Sequence, residues 1–151
     1  MSVRHLAFAL AALSCACAPA VIPGSQIPDT KDNRELLAIL HDYKNAFEAK
    51  DAKAIASLAS PRYLDARQSI SKATLEGELA KDFARVKDLH LDVNVRRVVV
   101  ERDVAHIDYF YSEAYQLDTV DAKWHRQSDD KRMTFQRAPK APHGWLVTSG
   151  F

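Results

Sequence analysis

The sequence of 151 residues is short of everything that marks an unusual architecture. Four glycines and six prolines are too few for a collagen-like or low-complexity chain. Its two cysteines, Cys15 and Cys17, both stand near the N-terminus, so from residue 18 onward there is no thiol to form a disulfide or a thiolate metal site. No charge predominates either, with 21 Lys plus Arg against 20 Asp plus Glu. Arg4 is the sole charged residue before Asp29, and without it the basic and acidic counts are equal. A neutral domain with no basic stripe has no electrostatic reason to hold nucleic acid, which is therefore not expected as a partner. GxSxG, HExxH, CxxC and a Gly-rich phosphate loop are all missing, so nucleophilic hydrolysis, zinc chemistry and nucleotide cradling have no motif to rest on. No metal or cofactor is expected.

The first 20 residues have the layout of a secretory signal: Arg4 and His5, the uncharged run Leu6–Leu13, then the small residues Ser14-Cys15-Ala16-Cys17-Ala18. A bilayer-spanning helix needs about 20 apolar residues, far more than this run supplies, so a permanent transmembrane anchor is excluded. The stretch Ala-Leu-Ser-Cys15 resembles the lipobox of bacterial lipoproteins, which implies Cys15 as the lipidated first residue after a signal of residues 1–14, with Cys17 as the alternative. Cleavage after Ala20 by the ordinary signal peptidase, using Ala18-Pro19-Ala20, is the competing reading and leaves a soluble exported protein. Neither cysteine precedes an Asp, which by resemblance to enterobacterial sorting implies the periplasmic side of the outer membrane. The membrane, through the lipid, is the partner this predicts. Ala18–Pro28 carries three prolines and no charge and reads as an extended tether, so 15–30 is the tether and 31–151 the domain.

Asp29 or Thr30 can cap a first helix on which Leu36, Leu40, Tyr43 and Phe47 share one face. Asp51 starts a shorter helix, with Ile55 and Leu58 inward, that stops before Ser60-Pro61. Ser71 can cap a third, with Leu75, Leu79, Phe83 and Val86 as its apolar stripe. From Leu89 the period falls to two. Leu89, Leu91, Val93 and Val95 alternate with polar residues, then Val98 and Val100 fall on the other parity, which predicts a bulge or sharp bend at Arg96-Arg97. Further strands are expected over Val104–Leu117, over Trp124–Arg137 with a bend near Asp129-Asp130, and over Trp145–Phe151, where Trp145 and Phe151 should seal the core. The fold class is α+β: three N-terminal helices on an antiparallel meander.

That order, with Tyr43-Lys-Asn-Ala-Phe-Glu-Ala-Lys-Asp51, Tyr63-Leu-Asp65 and the closing Gly144-Trp-Leu-Val-Thr-Ser-Gly-Phe151, resembles the nuclear transport factor 2-like superfamily, the SnoaL-like or cystatin-like α+β cones. The resemblance implies a strongly bent sheet wrapped around the helices to leave a cone-shaped pocket. These are packing motifs and carry no reaction with them.

Tyr109, Tyr111, Glu113 and Tyr115 alternate onto one face of the longest strand. If that face looks into the cone, phenols and a carboxylate converge on an apolar cavity, with Tyr63 and Asp65 closing its mouth. The alternative is a face of core and rim aromatics filled by Leu40, Phe47, Leu79 and Phe83, with Glu113 paired to an arginine. His106 and Asp108 read as solvated, His125 as a weak acid–base candidate beside the tyrosines, and His41 and His143 as surface. Lys123, Arg126, Lys131, Arg132 and Arg137, interleaved with Asp121, Asp129 and Asp130, read as an ordinary charged sheet face. The expected function is binding of a small apolar ligand or a protein partner, with no catalytic residue assigned. The alternatives are an isomerase or dehydratase using Glu113 with tyrosines, and a docking or homodimer module using the outer sheet face.

Overall fold

The computed structural model describes residues 20–120 and 122–151. The expected signal and lipidation site, with both cysteines, and Asp121 lie outside the described residues. Helix α1 (Lys31–Glu48) is capped by Thr30, whose Oγ1 accepts the Asn33 N–H at 3.1 Å. Its apolar stripe puts Leu36, Ile39, Leu40 and Tyr43 in the core, with Phe47 half-buried at the C-terminal end. Helix α2 (Ala52–Leu58) is capped by Asp51, which accepts the Ala54 N–H at 2.9 Å; Ile55 is buried and Leu58 half-buried. A small hairpin follows, β1 (Leu64–Asp65) paired antiparallel with β2 (Ile70–Ser71), its turn closed by Asp65 Oδ1 accepting the N–H groups of Arg67 and Gln68. The sequence pattern did not announce this hairpin, because two-residue strands are too short to show a period. Helix α3 (Lys72–Phe83) opens with Thr74 Oγ1 accepting the Ser71 N–H at 3.1 Å. Val86 is not part of its stripe, since the helix stops at Phe83 and Val86 begins the sheet.

The sheet is an antiparallel meander in the order β3 (Val86–Glu101), β4 (Val104–Leu117), β5 (Trp124–Arg137) and β6 (Trp145–Ser149). Its ladder slips between Val95 and Arg97, the position where the apolar parity changes. That extra residue lets Val93 and Val95 before it, and Val98 and Val100 after it, all pack on the same core. No slip accompanies Asp129-Asp130, where β4 and β5 stay in register; the irregularity of β5 falls instead at Thr134/Phe135 against β6. Strand β6 also stops at Ser149, short of the expected Phe151. Gly150 turns the chain out at a φ of +99°, and a Cβ there would collide with the main chain of Arg132 and lie 2.8 Å from the Met133 Cα.

The helices lie on the concave face. Ile107, Met133, Phe135 and Val147 from the sheet meet Leu36 and Ile55 with no solvent exposure on any of them. Trp145 is 2% exposed, as expected of a core seal, and the Arg137 guanidinium lies 4.2 Å over its ring. Its indole N–H has no hydrogen-bond partner among the described residues, and the Asp32 carboxyl is held below its usual range chiefly by the Arg137 guanidinium, against burial. Arg137 clamps Asp32 with two bonds of 3.1 and 3.0 Å, and Glu48 accepts the Leu91 N–H at 2.9 Å, so both ends of α1 are fixed to the sheet.

The segment expected as an extended tether is closed from Ala20 onward. Val21 bridges Pro28, Asp29 N–H donates to Ala20 O at 2.7 Å, Ile22 N–H donates to Ile27 O at 2.9 Å, and Ile27 is buried. Asn33 Nδ2 donates to Pro28 O at 2.8 Å and ties this loop to α1. Proline content reads as extension only while nothing closes the backbone's hydrogen bonds, and here Ser25 and Gly24 supply the turn.

Candidate functional site

Two adjoining chambers open between α1, α3 and the concave face of the sheet. The outer has a volume of about 670 Å³ and the inner about 230 Å³. Phe47, Leu79, Asp82, Glu113 and Gln127 line both, so the two form one groove. The outer chamber is walled by Phe83, Val86, Leu89, Tyr115 and Leu117, an apolar lining of a size that suits a small organic molecule. The inner chamber is aromatic, bounded by Tyr43, Tyr63, Tyr109, Tyr111 and Phe151.

The face Tyr109–Tyr111–Glu113–Tyr115 does look into the groove, but its members differ in role. Tyr109 is 2% exposed and structural, its hydroxyl donating to Gly150 O at 3.2 Å. Burial raises the proton affinity of that phenol, and the neighbouring Tyr111 and Tyr63 add to the effect. Tyr111 is half-buried and reaches the inner chamber, its phenol also raised by burial and by Glu113. Tyr115 belongs to the outer chamber and stacks on His125 at 5.2 Å. Glu113 stands at the junction, where Oε2 accepts from Gln127 Nε2 at 2.6 Å. The expected arginine is replaced by an amide because Gln127 is the cross-strand neighbour of Glu113. Leu79 and Phe47 touch this face without filling it, so the groove stays open beside it.

Tyr63 does not close a mouth. It is 3% exposed, an inner wall stacked on Phe151 at 5.2 Å, and its phenol is pushed up to about 12 by burial, with Asp65 adding to the rise. Phe151 lies between Tyr63 and Tyr43, whose ring it meets at 5.1 Å, so it is a groove wall, half-buried, more than a core plug. Asp65 does reach the rim of the inner chamber.

Lys131, which the sequence groups with a charged sheet face, is a groove residue. Its Nζ lies 5.0 Å over the Tyr111 ring and donates to Phe151 O at 3.3 Å. Burial lowers its proton affinity, with Glu113 and Asp65 pulling the other way. The signal was present in the sequence: Lys131 shares parity with Met133 and Phe135, both fully buried. The opposite face carries the solvated set, where Asp108 receives Arg132 at 2.6 Å and Arg97 at 2.7 Å and Arg96 pairs with Asp130 at 3.2 Å. His125 is exposed and pairs with no carboxylate among the described residues, and His143 meets Asp42 at 2.8 Å away from the groove. Among the described residues no three His, Asp or Glu side chains are placed to hold a metal ion.

No family model and no curated protein matches this chain. Solved structures do. A conserved protein from Planctomyces limnophilus aligns with a TM-score of 0.68 at 11% identity over 79% of this chain and 92% of that one. A nuclear transport factor 2-like superfamily protein from Salmonella enterica gives 0.67 at 11% identity over 79% and 87%. A ketosteroid isomerase-like protein from Erwinia carotovora gives 0.65 at 13% identity over 78% and 91%. At such identities the likeness is one of fold, and the chain has the NTF2-like α+β cone.

Proposed function

Starting from a chain with the NTF2-like fold, we propose that it is an exported ligand-binding domain, held at the cell envelope by lipid on Cys15, that takes a small molecule with an apolar body into its groove. The observation that supports binding is the outer chamber: about 670 Å³ walled by Phe83, Val86, Leu89, Tyr115 and Leu117 and open to solvent. A concave, mostly apolar chamber with a few polar groups at one end is the usual form of a small-molecule site. Glu113 and Gln127, bonded to each other, stand with Asp82 as the polar groups at its inner end and orient whatever enters.

The test needs no natural ligand. N-phenyl-1-naphthylamine, a neutral apolar fluorophore, should bind one to one with saturable emission, and Leu79→Trp, which fills the junction from α3, should weaken it at least tenfold while circular dichroism stays unchanged. Absence of saturable binding to the wild type, or equal binding to a folded Leu79→Trp, overturns the reading.

A further inference from the structure

One amine stands inside the groove. Among the described residues Lys131 is the sole lysine that lines either chamber, because it has the strand parity of the buried Met133 and Phe135 and its side chain is laid over the Tyr111 ring. The other lysines are engaged or in water. Lys44 and Lys81 are each ion-paired at 2.7 Å, Lys50 and Lys72 donate to main-chain carbonyls, and Lys31, Lys53, Lys87, Lys123 and Lys140 are exposed. Lys131 differs on both counts. It is half-buried, no Asp or Glu side chain among the described residues pairs with it, and its one hydrogen bond, to the main-chain O of Phe151, is a long 3.3 Å.

The charges around Lys131 come from three elements. Glu113 on β4, Asp65 on β1 and Asp129 on β5 favour its ammonium, whereas burial and Arg67 in the β1–β2 turn favour the neutral amine, and burial prevails. The phenols of Tyr63, Tyr109 and Tyr111 in the same chamber are all raised, so they stay uncharged at neutral pH. An unpaired amine in a concave apolar site, with a carboxylate in the same chamber, is the arrangement that makes a lysine a nucleophile toward carbonyl carbon.

We propose that Lys131 captures aldehydes or ketones as an imine, with the carbonyl end in the inner chamber and an apolar body in the outer one. This rests on the ligand-binding reading above and gives the ligand its functional group. Nζ, as the free amine, bonds to the carbonyl carbon while the π pair of C=O moves to oxygen, and one nitrogen proton passes to that oxygen to give a carbinolamine. The C–O bond then breaks, the nitrogen lone pair closes C=N, and the oxygen leaves as water with the second nitrogen proton. Glu113, which exerts the largest electrostatic effect on Lys131 of any carboxylate, carries these protons.

Reductive trapping tests this on the full chain. With 6-methoxy-2-naphthaldehyde and cyanoborohydride at neutral pH, peptide mass spectrometry should find at least about tenfold more adduct on Lys131 than on any other lysine. Excess N-phenyl-1-naphthylamine should suppress the Lys131 adduct and leave the others unchanged, and a folded Leu79→Trp should lower it at least about fivefold. Equal adduct on Lys131 and the exposed lysines, or a Lys131 adduct that neither the fluorophore nor Leu79→Trp lowers, overturns the proposal. In either case saturable fluorophore binding keeps the apolar-ligand reading standing. If the fluorophore never binds and Lys131 shows no preference, both fall.

Discussion

Asp108 shows how much of the outer sheet face is electrostatics alone. The hydrogen bond from Arg132 is the largest effect on its carboxyl; burial pushes the other way, and the bond from Arg97 with the charges of both arginines tips the balance and holds it down to about 2. A carboxyl lowered from its ordinary value near 4 adds stability that is complete above that value and disappears as pH falls toward 2. Chemical denaturation followed against pH should therefore show wild type losing stability between about pH 4 and 2, and Asp108→Asn running flatter across that window. At neutral pH the substitution should cost no more than about 1 kcal/mol, because both arginines are largely in solvent. At the same scale the groove was only half legible. Tyr109, Tyr111, Glu113 and Tyr115 are legible because they alternate within one strand. Lys131 is hidden among charged sequence neighbours although its parity is that of the core, and Tyr43 and Phe151 carry only the pattern of packing residues. What separates wall from core is the space left beside a side chain, and that depends on elements far away in sequence.

Among the elements, α1 does two jobs at opposite ends. Its N-terminus is closed by Thr30 and clamped by Arg137, while its C-terminal half delivers Tyr43 and Phe47 to the groove. Thr30→Ala removes the cap and should lower stability by about 1 kcal/mol in urea denaturation. Fluorophore affinity should stay within about twofold, since the groove lies three turns away along the helix. A larger loss of affinity would mean that α1 moves as a rigid rod on the sheet. Strands β3 and β4, all three helix starts and the bulge at Arg96-Arg97 could be read from period, caps and parity, each a local record of which face is buried. The β1–β2 hairpin and the end of β6 could not. The first is held by Asp65 and by α3 packing, the second by the close approach of Gly150 to the main chain of Arg132, and neither contact leaves a periodic trace.

For the molecule as a whole, the expected address rests on two cysteines beside an apolar run. Cells expressing the protein and fed a clickable palmitate should label the wild type and not Cys15→Ala. Labelling lost only in Cys17→Ala moves the modification two residues, and equal labelling of both variants removes the lipid anchor. The closed loop of Ala20–Asp29 then acquires a mechanical meaning. By fastening Asp29 to Ala20 and burying Ile27, it takes ten residues out of the free chain. Between an acylated Cys15 and the first fastened residue there remain five peptide steps, a leash of at most about 18 Å. If the palmitate label falls on Cys15, that length sets how far the folded domain can stand from the leaflet that holds the lipid.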